Sequence, residues 1–374
     1  MGAAKRGPEP IVVVADEGWV YVAAQDAKGG PPWFWASQDG GRTWRSARPS
    51  SQSGGEVDMA WGPRGMVYYT QLGPQGNVVS VSRDRGQSWT STPIQSLTTQ
   101  YFDREWVAVD PQGSAYIVAR QFGSLGQDTW AQSSRSDDGG VTFLAQGRVW
   151  DATREPGGGN GNLVWHAGGL LIPYVCRDVQ GVCVATSRDR AQSWTQALVV
   201  ERDVRTDNVY PVAAAAEGGR LLVTWSDASD GRLAVWVASS TDGGRSWSRP
   251  WKASADDESA TMPWLATGGG RAWLVYLSTP TALQAADERA AEGALWTPMA
   301  ARLDAGAQQV AERGPVMGPV HEGVMSKPVG QGGGTFDRSF GDFFTAAVDR
   351  NGKLLVALVQ TMGGRGDTLL VTQP

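Results

Sequence analysis

The 374-residue chain has few of the residues that usually signal chemistry. Its two cysteines and two histidines are too few and too scattered for a zinc site. Charged residues make up 19%, below the roughly 25% usual for soluble domains. No run of Lys and Arg exceeds two residues and the net charge is −5, which argues against nucleic acid or an anionic membrane surface as partner. No apolar stretch nears the roughly 18 residues a membrane helix needs, since IVVV at 11–14 is soon followed by Asp16 and Glu17. Gly-x-Ser-x-Gly and phosphate-loop motifs are absent, and GGGNGN lacks the strand–helix setting of a nucleotide fingerprint. The amino end, MGAAKRGPEP, has no apolar core of a secretion signal, so the chain reads as intracellular or as a mature form restarted at Met-Gly.

What the chain has in abundance is turn formers and large aromatics. Its 49 Gly and 20 Pro are spread throughout and sit among 18 Trp, which predicts many short strands and tight turns rather than disorder. One phrase recurs five times: SQDGGRTW at 37, SRDRGQSW at 82, SDDGGVTF at 136, SRDRAQSW at 187 and STDGGRSW at 240. Its Asp (39, 84, 138, 189, 242) can accept backbone N–H bonds within its own turn. The Gly two residues later allows a left-handed backbone angle, and the closing aromatic (Trp44, Trp89, Phe143, Trp194, Trp247) starts the next strand. The phrase therefore reads as a clasp on the turn from a third to a fourth strand.

Two strand-like runs precede each clasp, and two further pairs lack one: WLATGGG with AWLVYLS, and FFTAAVDRNG with LLVALVQ. Alanines at 15, 60, 108, 167, 214, 266 and 347 mark seven first strands about 55 residues apart. Units of about 50 residues holding four short antiparallel strands are propeller blades. The expected fold is all-β, a seven-bladed β-propeller forming a single domain over 1–374. Its blades fall near 9–50, 55–95, 102–150, 160–202, 208–253, 260–318 and 340–374. The last ends after three strands, and the amino-terminal residues would supply the missing edge. The one helix-like stretch is TALQAADERAAEGAL at 281–295.

The five phrases match the Asp-box, or bacterial neuraminidase repeat, and the chain from about residue 10 onward resembles a sialidase-type β-propeller. The resemblance implies structural Asp-box aspartates on the rim opposite the ligand face. It also implies six blades, an alternative to the seven counted. In that family three arginines clamp the substrate carboxylate, a Tyr polarised by a Glu is the nucleophile, and an Asp protonates the leaving group. The family's Arg-Ile-Pro signature occurs nowhere in this chain.

A propeller gathers the loops entering its inner strands at one axial mouth. Here those segments are GGEVDM (Glu56, Asp58), FDREW (Asp103, Arg104, Glu105), GGNGNL (Asn160, Asn162), TDNVYP (Asp207, Asn208, Tyr210), DDESATMP (Asp257, Glu258) and FDRSFGDF (Asp337, Arg338, Asp342). Second-to-third loops add Arg120 with Gln121, Arg177 with Asp178, and Asp227. Candidate catalytic residues are Tyr210, with Glu105 or Glu56 as its partner, and Asp58 as acid. Candidate ligand contacts are Asp103, Arg104, Arg120, Arg177, Arg338, Asn160, Asn208 and Asp342. Arg104 equally suits an inter-blade ion pair. His166 reads as an inner-strand residue, and the loop holding His321 as a lid over the mouth. Trp33 and Trp35 would stack on sugar rings if exposed. No metal or cofactor is expected; calcium on oxygen ligands stays open, although no loop matches a calcium motif.

Cys176 and Cys183 flank a six-residue loop between strand-like runs, close enough across a hairpin for a disulfide. That favours an extracellular or periplasmic location. Two functions stand. The first is a monomeric platform binding a glycan or protein partner at the polar mouth. The alternative is a sialidase-like glycoside hydrolase, or another carbohydrate-active enzyme, using the same mouth.

Overall fold

In the computed structural model the chain forms seven antiparallel sheets in sequence order, a seven-bladed β-propeller. The structure describes residues 7–373 apart from 74–75, 95–101, 123–128, 151–155, 177–180, 203, 205–209, 286–288, 326–339 and 364–365. Seven inner strands line one axis: Ile11–Val14, Val57–Gly62, Phe102–Val109, Pro156–Asn160 continued by Val164–His166, Val212–Ala215, Ser259–Gly268 and Thr345–Val348. Each blade runs outward from its inner strand through successive antiparallel neighbours.

The second strands explain why the ring forms. Val20–Ala24 (VYVAA), Gly169–Cys176 (GLLIPYVC) and Leu221–Asp227 (LLVTWSD) are buried at every position. A strand apolar on both faces needs cover on both sides, and in a ring each blade covers its neighbours. Outer strands such as Thr90–Pro93 are short and largely exposed.

In the seventh blade the described residues form three strands, Thr345–Val348, Leu354–Gln360 and Asp367–Gln373. Among the described residues the amino-terminal segment adds no strand to that sheet. It closes the ring through side chains instead. The Val12 N–H donates to Thr345 Oγ1 (2.8 Å), Thr345 Oγ1 donates to the Pro10 carbonyl (3.0 Å), and Thr368 Oγ1 donates to the Gly7 carbonyl (2.8 Å).

All five clasps close in the same way. The serine hydroxyl donates to the Asp Oδ1 at 2.7–2.9 Å. The hydroxyl four residues after the Asp donates to its Oδ2 at 2.5–2.6 Å. The hydroxyls of Thr43 and Ser246, with backbone N–H groups, hold Asp39 and Asp242 well below the usual carboxylate range. The aromatic ties one blade to the one before it: Trp89 packs edge-on against Phe34 at 4.8 Å. The clasps share a rim with the first-to-second turns, as the Arg85–Glu17 ion pair (2.9 Å) shows. The ends of the inner strands that carry the mouth residues lie at the opposite rim.

Two expectations change. The stretch 281–295 is not helical among the described residues, which show a 3-10 turn at Arg289–Ala291 and a strand from Leu295. Leu283, Ala291 and Ala294 are each pinned into the core, and Leu283 exchanges backbone bonds with Ser259 Oγ and Leu233. These tertiary bonds replace the helical ladder. His321 is no lid residue: it is buried, with Nδ1 2.7 Å from Thr361 Oγ1, and His321–Glu322 pairs with Leu295–Trp296. The rest of that loop, 326–339, lies outside the described residues. His166 ends an inner strand, as expected.

Cys176 and Cys183 form a disulfide with Cα atoms 5.8 Å apart. Their register is diagonal, since Cys176 faces Gly181 and Cys183 faces Tyr174.

The clasp predicts an asymmetric glycine effect. Gly86 has φ +80° and an added Cβ would lie 2.4 Å from Phe34, whereas Gly40 has φ +71° and open space around it. The position of Gly40 already holds Arg85 and Arg190 at positive φ in other clasps. Ala191, in the place of Gly86, is tolerated where Ser133 stands instead of Phe34. Gly86→Ala is expected to cost about 3 kcal/mol in denaturant unfolding, from strain plus overpacking, and Gly40→Ala about 1 kcal/mol. Equal costs would show that Phe34 does not set the constraint.

Candidate functional site

The inner strand of blade three starts with a bulge. Its register shifts between Trp106, opposite Val118, and Asp103, opposite Arg120, so Arg104 and Glu105 share one partner position. Arg104 takes φ +54° there. Bulges re-aim side chains, and this one turns the Arg104 guanidinium to the axis. Its Nη2 lies 2.6 Å from Asp342 Oδ2 of blade seven, and its Nη1 3.2 Å from Glu56 Oε1, at the entry to blade two. Its backbone N–H donates to Glu56 Oε2 (3.2 Å). Asn160 Nδ2 donates to the Arg104 carbonyl (3.3 Å), adding blade four.

Glu9 completes the cluster from blade one. Its Oε1 accepts the Asp342 N–H at 2.8 Å, and its Oε2 accepts Gln25 Nε2. Gly341 permits this approach, because a Cβ there would lie 2.4 Å from Glu9 Cγ. Glu9, Glu56 and Asp342 each bring one carboxylate oxygen within 4.8 Å of the others. Burial pulls Arg104 down, but Glu56, Tyr210, Asp342 and Asp103 outweigh it and hold the guanidinium well above its ordinary value.

Tyr210 enters from blade five. Its ring lies under the guanidinium, Arg104 Cζ being 4.6 Å from the ring centroid. Its hydroxyl is buried and finds no hydrogen-bond partner among the described residues. Burial raises that hydroxyl's pKa well above its ordinary value, with Arg104 opposing and Glu56, Glu9 and Asp342 adding to the rise. Tyr210 also packs edge-on against Trp106 (5.8 Å) and Phe343 (6.1 Å), while Trp264 stacks on Phe343 (6.0 Å). These four rings plug the axis. On their clasp side lies a channel of about 420 Å³ lined by the remaining lengths of all seven inner strands, largely Ala and Val. The polar cluster lies on the other side.

Glu105 and Asp58 form a separate pair between blades two and three. Burial lifts both carboxyls, Glu105 well above its ordinary value and Asp58 to about 7, although Asp58 Oδ2 accepts the Val107 N–H at 2.8 Å. Both oxygens of Glu105 lack a side-chain hydrogen-bond partner among the described residues. Arg104 contacts both Glu56 and the Tyr210 ring, so the acid grouped with Tyr210 is Glu56.

The expected constellation is thus partly assembled. Arg104, Asp342, Asn160, Tyr210 and Glu56 converge. Arg120 stands on the second strand of blade three, opposite Asp103. Arg177, Arg338 and Asn208 lie outside the described residues. Of the candidate clamp arginines, Arg104 is the one that the described ion pairs place at the axis. Glu258 supports its own turn, accepting the Tyr276 hydroxyl at 2.8 Å. Asp227 accepts Trp225 Nε1 (2.7 Å). Trp33 stacks on Trp35 and is covered by Arg48 at 3.1 Å, which occupies a face a sugar would need. Glu9 was not singled out from sequence. The available signal was a lone acid between two prolines at an inner-strand entry.

The profile of the BNR repeat-like domain family matches residues 107–306. A Hadza microbial sialidase, Hz136, is similar in structure with a TM-score of 0.51 and 14% identity; the match covers 73% of this chain and 63% of that one. A PL25 ulvan lyase bound to -[GlcA(1-4)Rha3S]- superposes with a TM-score of 0.58 at 13% identity, covering 99% of this chain and 94% of the lyase. At these identities the likeness is one of fold. No curated protein matches the chain.

Asp58 gives a pH dependence with a definite sign. Its folded value of about 7 exceeds the ordinary 3.8, so the fold favours the protonated form. Its contribution is complete below the unfolded value and is lost as pH rises through about 7, by about 1.4 kcal/mol per pH unit between the two. Asp58→Asn keeps an acceptor for Val107 and is expected to flatten the fall in melting temperature across that range. An unchanged fall in the variant would assign the dependence to another group.

Proposed function

The chain belongs to the BNR repeat-like family, and from that premise we propose a glycan-recognition propeller that holds its ligand at the axial mouth. The observation that carries this reading is a set of buried polar atoms on one rim with no protein partner among the described residues. They are the Tyr210 hydroxyl and Asn160 Oδ1. Buried groups of this kind call for a partner, and a saccharide offers hydroxyls that both donate and accept.

A sialidase mechanism is the poorer reading. The arginine at the axis is committed to Glu56 and Asp342 rather than open to a substrate carboxylate. The Tyr210 hydroxyl is not hydrogen-bonded to a described carboxylate that would polarise it. The Cys176–Cys183 disulfide supports an oxidising, extracellular or periplasmic compartment as part of the proposal.

Glycan-array binding followed by calorimetry tests the reading, beside a fluorogenic glycoside panel that includes sialosides. Tyr210→Phe is expected to weaken binding about tenfold while leaving the melting temperature nearly unchanged. Sialoside turnover that this substitution abolishes would replace recognition with catalysis.

A further inference from the structure

We propose that the rim opposite the mouth carries a second binding site, between blades five and six, for a tetrahedral oxyanion such as a phosphate or sulfate group. Blade six lacks the clasp, and the seam before blade two, which has one, shows what that absence changes. There Trp19 follows the turn Asp16–Gly18 of blade one. The clasp residue Arg85 of blade two lies over the Trp19 ring at 5.7 Å and pairs with Glu17 at 2.9 Å. The space left between those turns is about 110 Å³. In blade five the corresponding residue after the turn Glu217–Gly219 is Arg220, and the third-to-fourth turn of blade six reads DAGAQ at 304–308, without a clasp. The hollow there is about 300 Å³, which reaches the roughly 300–1,000 Å³ range of ligand sites.

Three arginines from three turns line that hollow: Arg220, Arg271 and Arg302. Arg271 opens the second strand of blade six, and Arg302 lies one residue from the end of the third, opposite Trp273. Antiparallel pairing therefore delivers all three to the clasp rim. Their described bonds use little of their capacity. Arg220 Nη1 lies 3.5 Å from Ser239 Oγ, Arg271 Nη1 donates to the Gly352 carbonyl (3.3 Å), and Arg302 donates to Glu312 through Nε (2.7 Å). A guanidinium presents its N–H groups as a planar fork that matches the oxygens of phosphate or sulfate, so donors remain for a ligand. Of the two acids in the lining, Asp304 turns Oδ1 to the N–H groups of Gly306 and Ala307. The other, Glu217, is exposed and opposes an incoming anion. The rest of the lining is Gly, Ala and Leu303, which give room but no side-chain hydrogen bonds, so recognition falls to the arginines.

Calorimetry on the intact protein at low ionic strength tests the site with inorganic phosphate, inorganic sulfate, glucose 6-phosphate and glucose. The three anions are expected to bind, to weaken with added salt, and to bind far more tightly than glucose. Arg220→Gln and Arg271→Gln are each expected to cost about tenfold, with melting curves recorded as controls for folding. Glu217→Gln removes a like charge that makes no described bond, and is expected to tighten binding about threefold. Tyr210→Phe, at the other rim, should leave anion binding unchanged, which separates this site from the mouth. Tighter binding of glucose 6-phosphate than of phosphate would support the proposal with a phosphorylated sugar as ligand, and equal binding would support it with the free ion. Silence from all three anions, glucose binding as well as glucose 6-phosphate, or phosphate binding indifferent to both arginine substitutions would overturn it.

Discussion

A propeller blade has two apolar faces and cannot cover either of them itself. Every other feature of this molecule follows from that constraint. The middle strands are buried throughout because each lies between two neighbours, and the clasp aromatics reach across the same seams. The ring must therefore close. It does so through Glu9, Thr345 and Thr368 bonding to backbone, and through Arg104 bridging blades two, three and seven across the axis. Removing one partner from such a buried pair leaves the other charge stranded, so the mouth is also a structural joint.

That double duty shapes the function. A catalytic arginine clamp needs guanidinium groups that face outward and wait for a ligand. Arg104 faces its own protein, and its orientation depends on a bulge with a left-handed residue at its centre. Two side chains with unpartnered polar atoms, Tyr210 and Asn160, adjoin this hub. The rigid part of the mouth is ionic, and neutral polar groups lie beside it.

The fold was legible because the clasp repeats. Its Ser, Asp and second hydroxyl act locally, so five copies of one phrase predict five identical turns and, through their spacing, the blades. The rim carrying the charges was legible for the same reason, since antiparallel strands put entry loops and clasps at opposite ends. The pairing within that rim was not. Whether Glu56 or Glu105 joins Tyr210 depends on a one-residue register shift at Arg104, which no local pattern announces. Glu9 escaped notice because its role comes from closing the ring onto blade seven, 333 residues away. The 281–295 stretch misled through composition: its alanines are good helix formers, but the core took them one at a time.

The four aromatic rings across the axis do more than fill space. Trp106, Tyr210, Trp264 and Phe343 form a floor of low polarity directly beneath the charged groups, and the lining on its far side is mostly alanine and valine. The disc therefore separates the buried ion pairs from the channel, and the attraction between Arg104 and its acids is screened less by salt than it would be at an open surface.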